Sequence, residues 1–129
     1  MKRILLLTLM TTLFTGCSEY TPDFNRNFIS VLNDLKSISE FEDAKIGYSK
    51  RNFNSSENFL VVTLMNGKNL PENEIELKKI GKKAMKFVFD NIENETIYDN
   101  YEVVFYNEKG NFIKKSFRKV FNYNFDEIK

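Results

Sequence analysis

Histidine and tryptophan are absent from this chain of 129 residues, cysteine occurs once and proline twice. Each absence removes a class of chemistry. Histidine is the side chain that most often moves protons near neutral pH. An enzyme built from this sequence would have to work with carboxylates, lysine, tyrosine or serine. The single cysteine, Cys17, forms no disulfide within the chain and, without histidine, no zinc site of the Cys/His kind. No glycine-rich phosphate loop, nucleophile elbow or histidine-based motif occurs. No metal and no cofactor is expected. A charge bias is missing too, since 19 Lys and Arg stand against 18 Asp and Glu. Nothing in that balance points to nucleic acid as a partner.

What is present begins with Lys2 and Arg3, followed by the mostly apolar run Ile4 to Phe14 and the small residues Thr15 and Gly16. A charged start, a short apolar stretch and small residues at the cut make a secretory signal. The run is shorter than the roughly 20 residues a membrane-spanning helix needs. With Cys17 directly after Thr15 and Gly16, the segment resembles the lipobox of bacterial lipoproteins, in which an aliphatic residue and two small ones precede a cysteine. Phe14 stands where that pattern usually has leucine, and Leu13 comes one place earlier. The resemblance covers residues 1–17 alone. It implies that residues 1–16 are a signal peptide removed before Cys17, and that the Cys17 sulfur accepts a diacylglyceryl group. In many bacteria the new amino group is acylated as well, and two or more chains hold a membrane stably where one holds marginally. The implied location is the cell envelope, anchored by lipid. Ser18 after the cysteine favours the outer membrane if the source is Gram-negative.

Removing 16 of 129 residues leaves 113, enough for one domain with its own core. Residues 17–22 are read as the lipidated cysteine and a short tether, and residues 23–129 as a single domain. The five residues Ser18 to Pro22 reach about 17 Å when extended, which keeps the body near the bilayer. Thr21-Pro22-Asp23 reads as a helix start. Phe24, Phe28, Val31, Leu32, Leu35 and Ile38 follow at helical spacing. Ala44, Ile46 and Tyr48 then alternate with polar residues, "RNFNSSEN" supplies a turn, and "FLVVTLM" (59–65) makes a central strand apolar on both faces. A second helix enters through Pro71 and runs to about Ile92, with Leu77, Ile80, Ala84, Phe87 and Val88 on one side. A second hairpin follows, with Tyr101, Val103 and Phe105 opposing Glu102, Val104 and Tyr106. For residues 112–125 a helical stripe competes with a strand; aromatics and turn residues favour the strand. The order α-β-β-α-β-β predicts an α+β two-layer sandwich, a four-stranded and mostly antiparallel sheet with two helices on one face. A circularly permuted ferredoxin-like layout gives the same order by analogy.

Lys78, Lys79, Lys82, Lys83 and Lys86 fall within about 140° of the second helix at 100° per residue. This basic stripe is the candidate surface contact, for anionic headgroups or an acidic envelope protein. The plainer alternative is a solvated helix face that offsets nearby glutamates and the helix dipole. Glu72, Glu74 and Glu76 are explained by their place at that helix's N-terminus. Phe105, Tyr106, Phe117, Phe121 and Tyr123 either line a ligand groove or pack a core, and "KKSFRKVF" (114–121) mixes basic and aromatic residues as nucleic-acid binders do. The expected function is a small cell-envelope lipoprotein, a non-catalytic binding or scaffold module tethered through Cys17. Alternatives are an enzyme acting on envelope polymers through carboxylate or tyrosine residues, and a carrier of small apolar ligands.

Overall fold

The computed structural model describes residues 21–52, 56–109 and 115–129. Its first described helix, α1 (Phe28–Ser39), starts at Asn27 and not at Thr21. The Asn27 Oδ1 accepts from the backbone N–H of Ile29 at 2.9 Å and of Ser30 at 3.3 Å, which satisfies two of the donors that a helix start leaves open. The residues ahead of it are engaged elsewhere. Phe24 bridges Ile92, the Asn25 N–H donates to the Asn91 carbonyl at 3.0 Å, and the Glu93 N–H donates to the Asp23 carbonyl at 2.7 Å. Asn94 completes the clamp, accepting from the Asp23 N–H at 3.0 Å and donating to the Thr21 carbonyl at 2.9 Å. A helix running through Thr21-Pro22-Asp23 would give up these long-range bonds, so the helical spacing of Phe24 does not become helical backbone.

Glu40 closes α1 with a left-handed φ of 55°, and the chain enters β1 (Phe41–Asn52) and then β2 (Ser56–Gly67). These strands pair antiparallel, with Ile46 opposite Val62 and Tyr48 opposite Leu60. Asn73 caps the long helix α2 (Glu74–Asp90), its side chain accepting from the Ile75 N–H at 2.8 Å. A 3₁₀ turn (Glu95–Ile97) leads to β3 (Asn100–Lys109), β4 (Lys115–Tyr123) and a last short helix, α3 (Phe125–Ile128). The disputed segment is therefore a strand over its described part, followed by a helical turn that the sequence reading did not foresee.

The sheet order is β1-β2-β3-β4. The outer pairs are antiparallel, and β2 and β3 run parallel in the centre. The class is α+β with the order α-β-β-α-β-β, and α1 and α2 pack on one face. The ferredoxin-like permutation does not occur, because it would set β4 beside β2 where β3 lies. Here α2 carries the chain from β2 to its parallel neighbour, the helical crossover that parallel pairing requires.

Leu60, Val62 and Leu64 of β2 and Tyr101, Val103 and Phe105 of β3 point toward the helices and form one buried cluster with Leu35, Leu77, Ala84, Met85 and Val88. Burial of such side chains contributes about 1.5–3 kcal/mol each. The helix comes close to the sheet at Gly81. The Tyr123 hydroxyl donates to the Lys78 carbonyl at 2.6 Å, and a Cβ on Gly81 would stand 2.5 Å from that hydroxyl. Only glycine leaves room for this approach.

Candidate functional site

Side chains alternate across a strand, so the residues between the core positions form the second sheet face, on which no described helix lies. That face holds a groove of about 550 Å³. Lys45, Gly47, Ser49 and Arg51 of β1 make one wall, Val61, Thr63 and Val104 the floor, and Glu102, Tyr106 and Arg118 the other wall. Register places them: Lys45 is opposite Thr63, Thr63 opposite Val104, and Arg118 opposite Tyr106.

Glu102 is 4% exposed, and a buried carboxylate needs a partner. Arg51 supplies it, reaching over β2 with its guanidinium 2.8 Å from the Glu102 carboxylate. On the way the guanidinium lies over the Phe59 ring, 4.1 Å from its centre, a contact that favours a cation over a π-face. Lys45 and Arg118 have no ion-pair partner among the described residues. The groove thus carries three cations and a single lining carboxylate, with two positive charges left uncompensated. Such a surface holds anionic groups over an apolar floor. Its one lining acid among the described residues is engaged in an ion pair, with no second described carboxylate lining the groove.

The five lysines of the predicted stripe share the outer side of α2, all exposed and on the opposite layer from the groove. Lys79 meets Glu76 at 3.2 Å and Lys86 meets Asp90 at 3.6 Å, while the Lys78 ammonium lies 5.8 Å from the centre of the Tyr123 ring. Lys82 and Lys83 have no ion pair among the described residues. Exposed pairs of this kind contribute about 0–1 kcal/mol, so the stripe keeps most of its positive field. Cys17 lies outside the described residues.

The acidic trio is dispersed: Glu74 pairs with Lys119, Glu76 pairs with Lys79, and Glu72 is exposed. Among the described residues, no group of three or more Asp, Glu, Cys or His is placed to hold a metal ion. The aromatic set divides as well. Phe105 and Tyr123 are core, Phe121 stands edge-on to Phe105 at 5.9 Å, and Phe117 is exposed. Tyr106 alone lines the groove. The basic and aromatic run, of which Lys114 lies outside the described residues, splits between faces over 115–121, with Arg118 in the groove and Lys119 on the helix side against Glu74.

Sequence reasoning placed Glu102, Val104 and Tyr106 on a common strand face but did not join them to Lys45 and Arg51. The joining depends on β2 lying between β1 and β3, which no local pattern reveals.

No described helix is long and apolar enough to cross a membrane. Comparison with protein-family models, with curated proteins and with solved structures finds no match.

Proposed function

We propose that the chain is a small cell-envelope lipoprotein, held to a membrane through lipid on Cys17, whose α+β domain binds a partner without catalysing a reaction. The observation that carries the binding half is the sheet-face groove, broad and cationic, whose one lining carboxylate is tied to Arg51. Two converging acids in a deep pocket would favour an envelope-polymer enzyme, and an enclosed apolar cavity would favour a ligand carrier. A salt-bridged acid on an open sheet face supports neither.

The anchoring half rests on the lipobox-like start. Its mechanism is confinement: a tethered domain is concentrated in a thin layer near envelope partners. Thr21 is pinned by Asn94, just past the end of α2, so the tether would leave the body at the C-terminal end of that helix. Lys78, Lys79, Lys82, Lys83 and Lys86 run back from that end and offer a second contact, with headgroups or with an acidic protein.

Membrane fractionation tests the reading. The wild-type chain is expected in the membrane fraction, retained through a high-salt wash and released by detergent. Recovery in the soluble fraction contradicts it. Release by salt alone also contradicts it, because lysine contacts would then be the whole attachment.

A further inference from the structure

We propose that the sheet-face groove binds an extended acidic peptide segment of a partner protein, with carboxylates at two ends and an apolar residue between them. The inference rests on reading the groove as a binding surface and is independent of the lipid anchor.

Charge and shape select the occupant. Lys45 projects from one outer strand and Arg118 from the other, each without an ion-pair partner among the described residues. Three strand spacings of about 4.8 Å, with a stagger of two residues between Lys45 and Arg118, put their backbone positions about 16 Å apart. Between the cations lie Thr63 and Val104 in the row of Lys45, and Met65 and Tyr106 in the row of Arg118, with Val61 bordering them in the next row. Above Gly47 the space is open, since an added Cβ would meet nothing within 4 Å. Arg51 is held down by Glu102 at 2.8 Å and does not compete for the centre.

An occupant must therefore present negative charge at both rims and apolar matter in the middle. A fatty acid has one charged end and leaves one rim unmet. A polyphosphate meets both rims but brings no apolar group to cover Val61 and Met65, which are half-buried, so it forgoes the gain from taking that surface out of water. An extended peptide satisfies both demands. Residues i and i+4 of a strand lie on one side about 13–14 Å apart, with i+2 between them. Acid at i and i+4 with a valine at i+2 reaches Lys45, the floor and Arg118 in turn, the long side chains on both sides covering the remaining difference of about 2 Å.

The test uses the full chain in detergent micelles and a fluorescein-labelled peptide of sequence Gly-Glu-Ser-Val-Ser-Glu-Gly, titrated by anisotropy. A control peptide carries Gln in place of both Glu, and inorganic polyphosphate is the second probe. The acidic peptide is expected to bind saturably and to weaken as salt rises. The Gln control and the Lys45→Glu/Arg118→Glu double variant are each expected to bind about tenfold or more weakly, while Lys36→Gln on α1, on the opposite layer, leaves binding unchanged. Circular dichroism of each variant checks that the fold is kept. Equal binding of the two peptides, or full binding by a folded double variant, overturns the proposal. Binding of polyphosphate in place of the peptide overturns the peptide assignment while the groove stands as a binding surface. Failure of both probes overturns both readings.

Discussion

Tyr123, Gly81 and Lys78 meet where one hydroxyl holds a helix against a sheet, and the contact leaves no room for another atom. Gly81→Ala gains about 1 kcal/mol of helix propensity but drives a methyl into that hydroxyl. Overpacking of this kind costs about 1–3 kcal/mol, so a net loss of stability in urea unfolding is expected. Tyr123→Phe in the same background removes the obstructing oxygen and should recover part of the loss, less about 1 kcal/mol for the hydrogen bond. Arg51 offers a second check. Arg51→Ala strands the Glu102 carboxylate, and a loss of about 1–3 kcal/mol is expected in the same measurement. Neither role is legible from local sequence. Gly81 reads as a blemish in a helix, and Glu102 reads as an exposed strand residue until Arg51 is seen to reach over Phe59.

Burial also reaches the titration of three tyrosines. It raises the phenols of Tyr98, Tyr101 and Tyr123, that of Tyr101 to about 12, with nearby carboxylates adding to the effect. An unfolded tyrosine loses its proton near pH 10, so above that pH the unfolded state binds fewer protons than the folded one. Stability is then full below about pH 10 and falls as pH rises through the folded values, by about 1.4 kcal/mol per pH unit for each phenol involved. Urea midpoints followed with phenolate absorbance should stay flat with respect to these groups below about pH 9 and drop beyond about pH 10.

At the scale of elements, the decisive contacts lie between segments far apart in the chain. The stripe of Val31, Leu32 and Leu35 announced α1, and Asn27, not Thr21, begins it because the residues from Thr21 to Asn25 are bonded to Asn91, Glu93 and Asn94. Either residue type can cap a helix. The choice was made by the clamp. Asn94→Ala removes two of its hydrogen bonds and is expected to cost about 1–2 kcal/mol. It should also speed amide exchange at Asn25 and Glu93 and leave the paired amides of β2 and β3 protected. Unchanged exchange at Asn25 and Glu93 would show that Asn94 does not hold this segment. The strands and α2 were readable from their periods because each buries one face. Sheet order was not readable, since two hairpins and a crossover helix fit more than one arrangement and only packing selects among them.

For the whole molecule, the clamp gives the proposed anchor a direction. Three residues, Ser18 to Tyr20, separate Cys17 from Thr21, a reach of at most about 14 Å over the four steps. Asp23 and Glu93, both exposed and joined by a backbone hydrogen bond, lie beside the point where the tether would leave, and they repel an anionic surface. The lysines from Lys86 to Lys78 extend about 12 Å along α2, so they would meet headgroups only if the helix lies along the membrane. Sedimentation of the full chain with anionic vesicles, compared with a Lys78→Glu/Lys82→Glu/Lys86→Glu variant, separates this contact from the anchor. A smaller bound fraction for the variant is expected, and equal fractions would remove the stripe from the account.

The lipid on Cys17 is the point from which the tethered reading follows, and the intact mass of protein extracted from cell membranes tests it most directly. The expected mass lacks residues 1–16 and carries a diacylglyceryl group on the new N-terminal cysteine. A mass that retains residues 1–16, or one that begins at or beyond residue 17 without lipid, would contradict it.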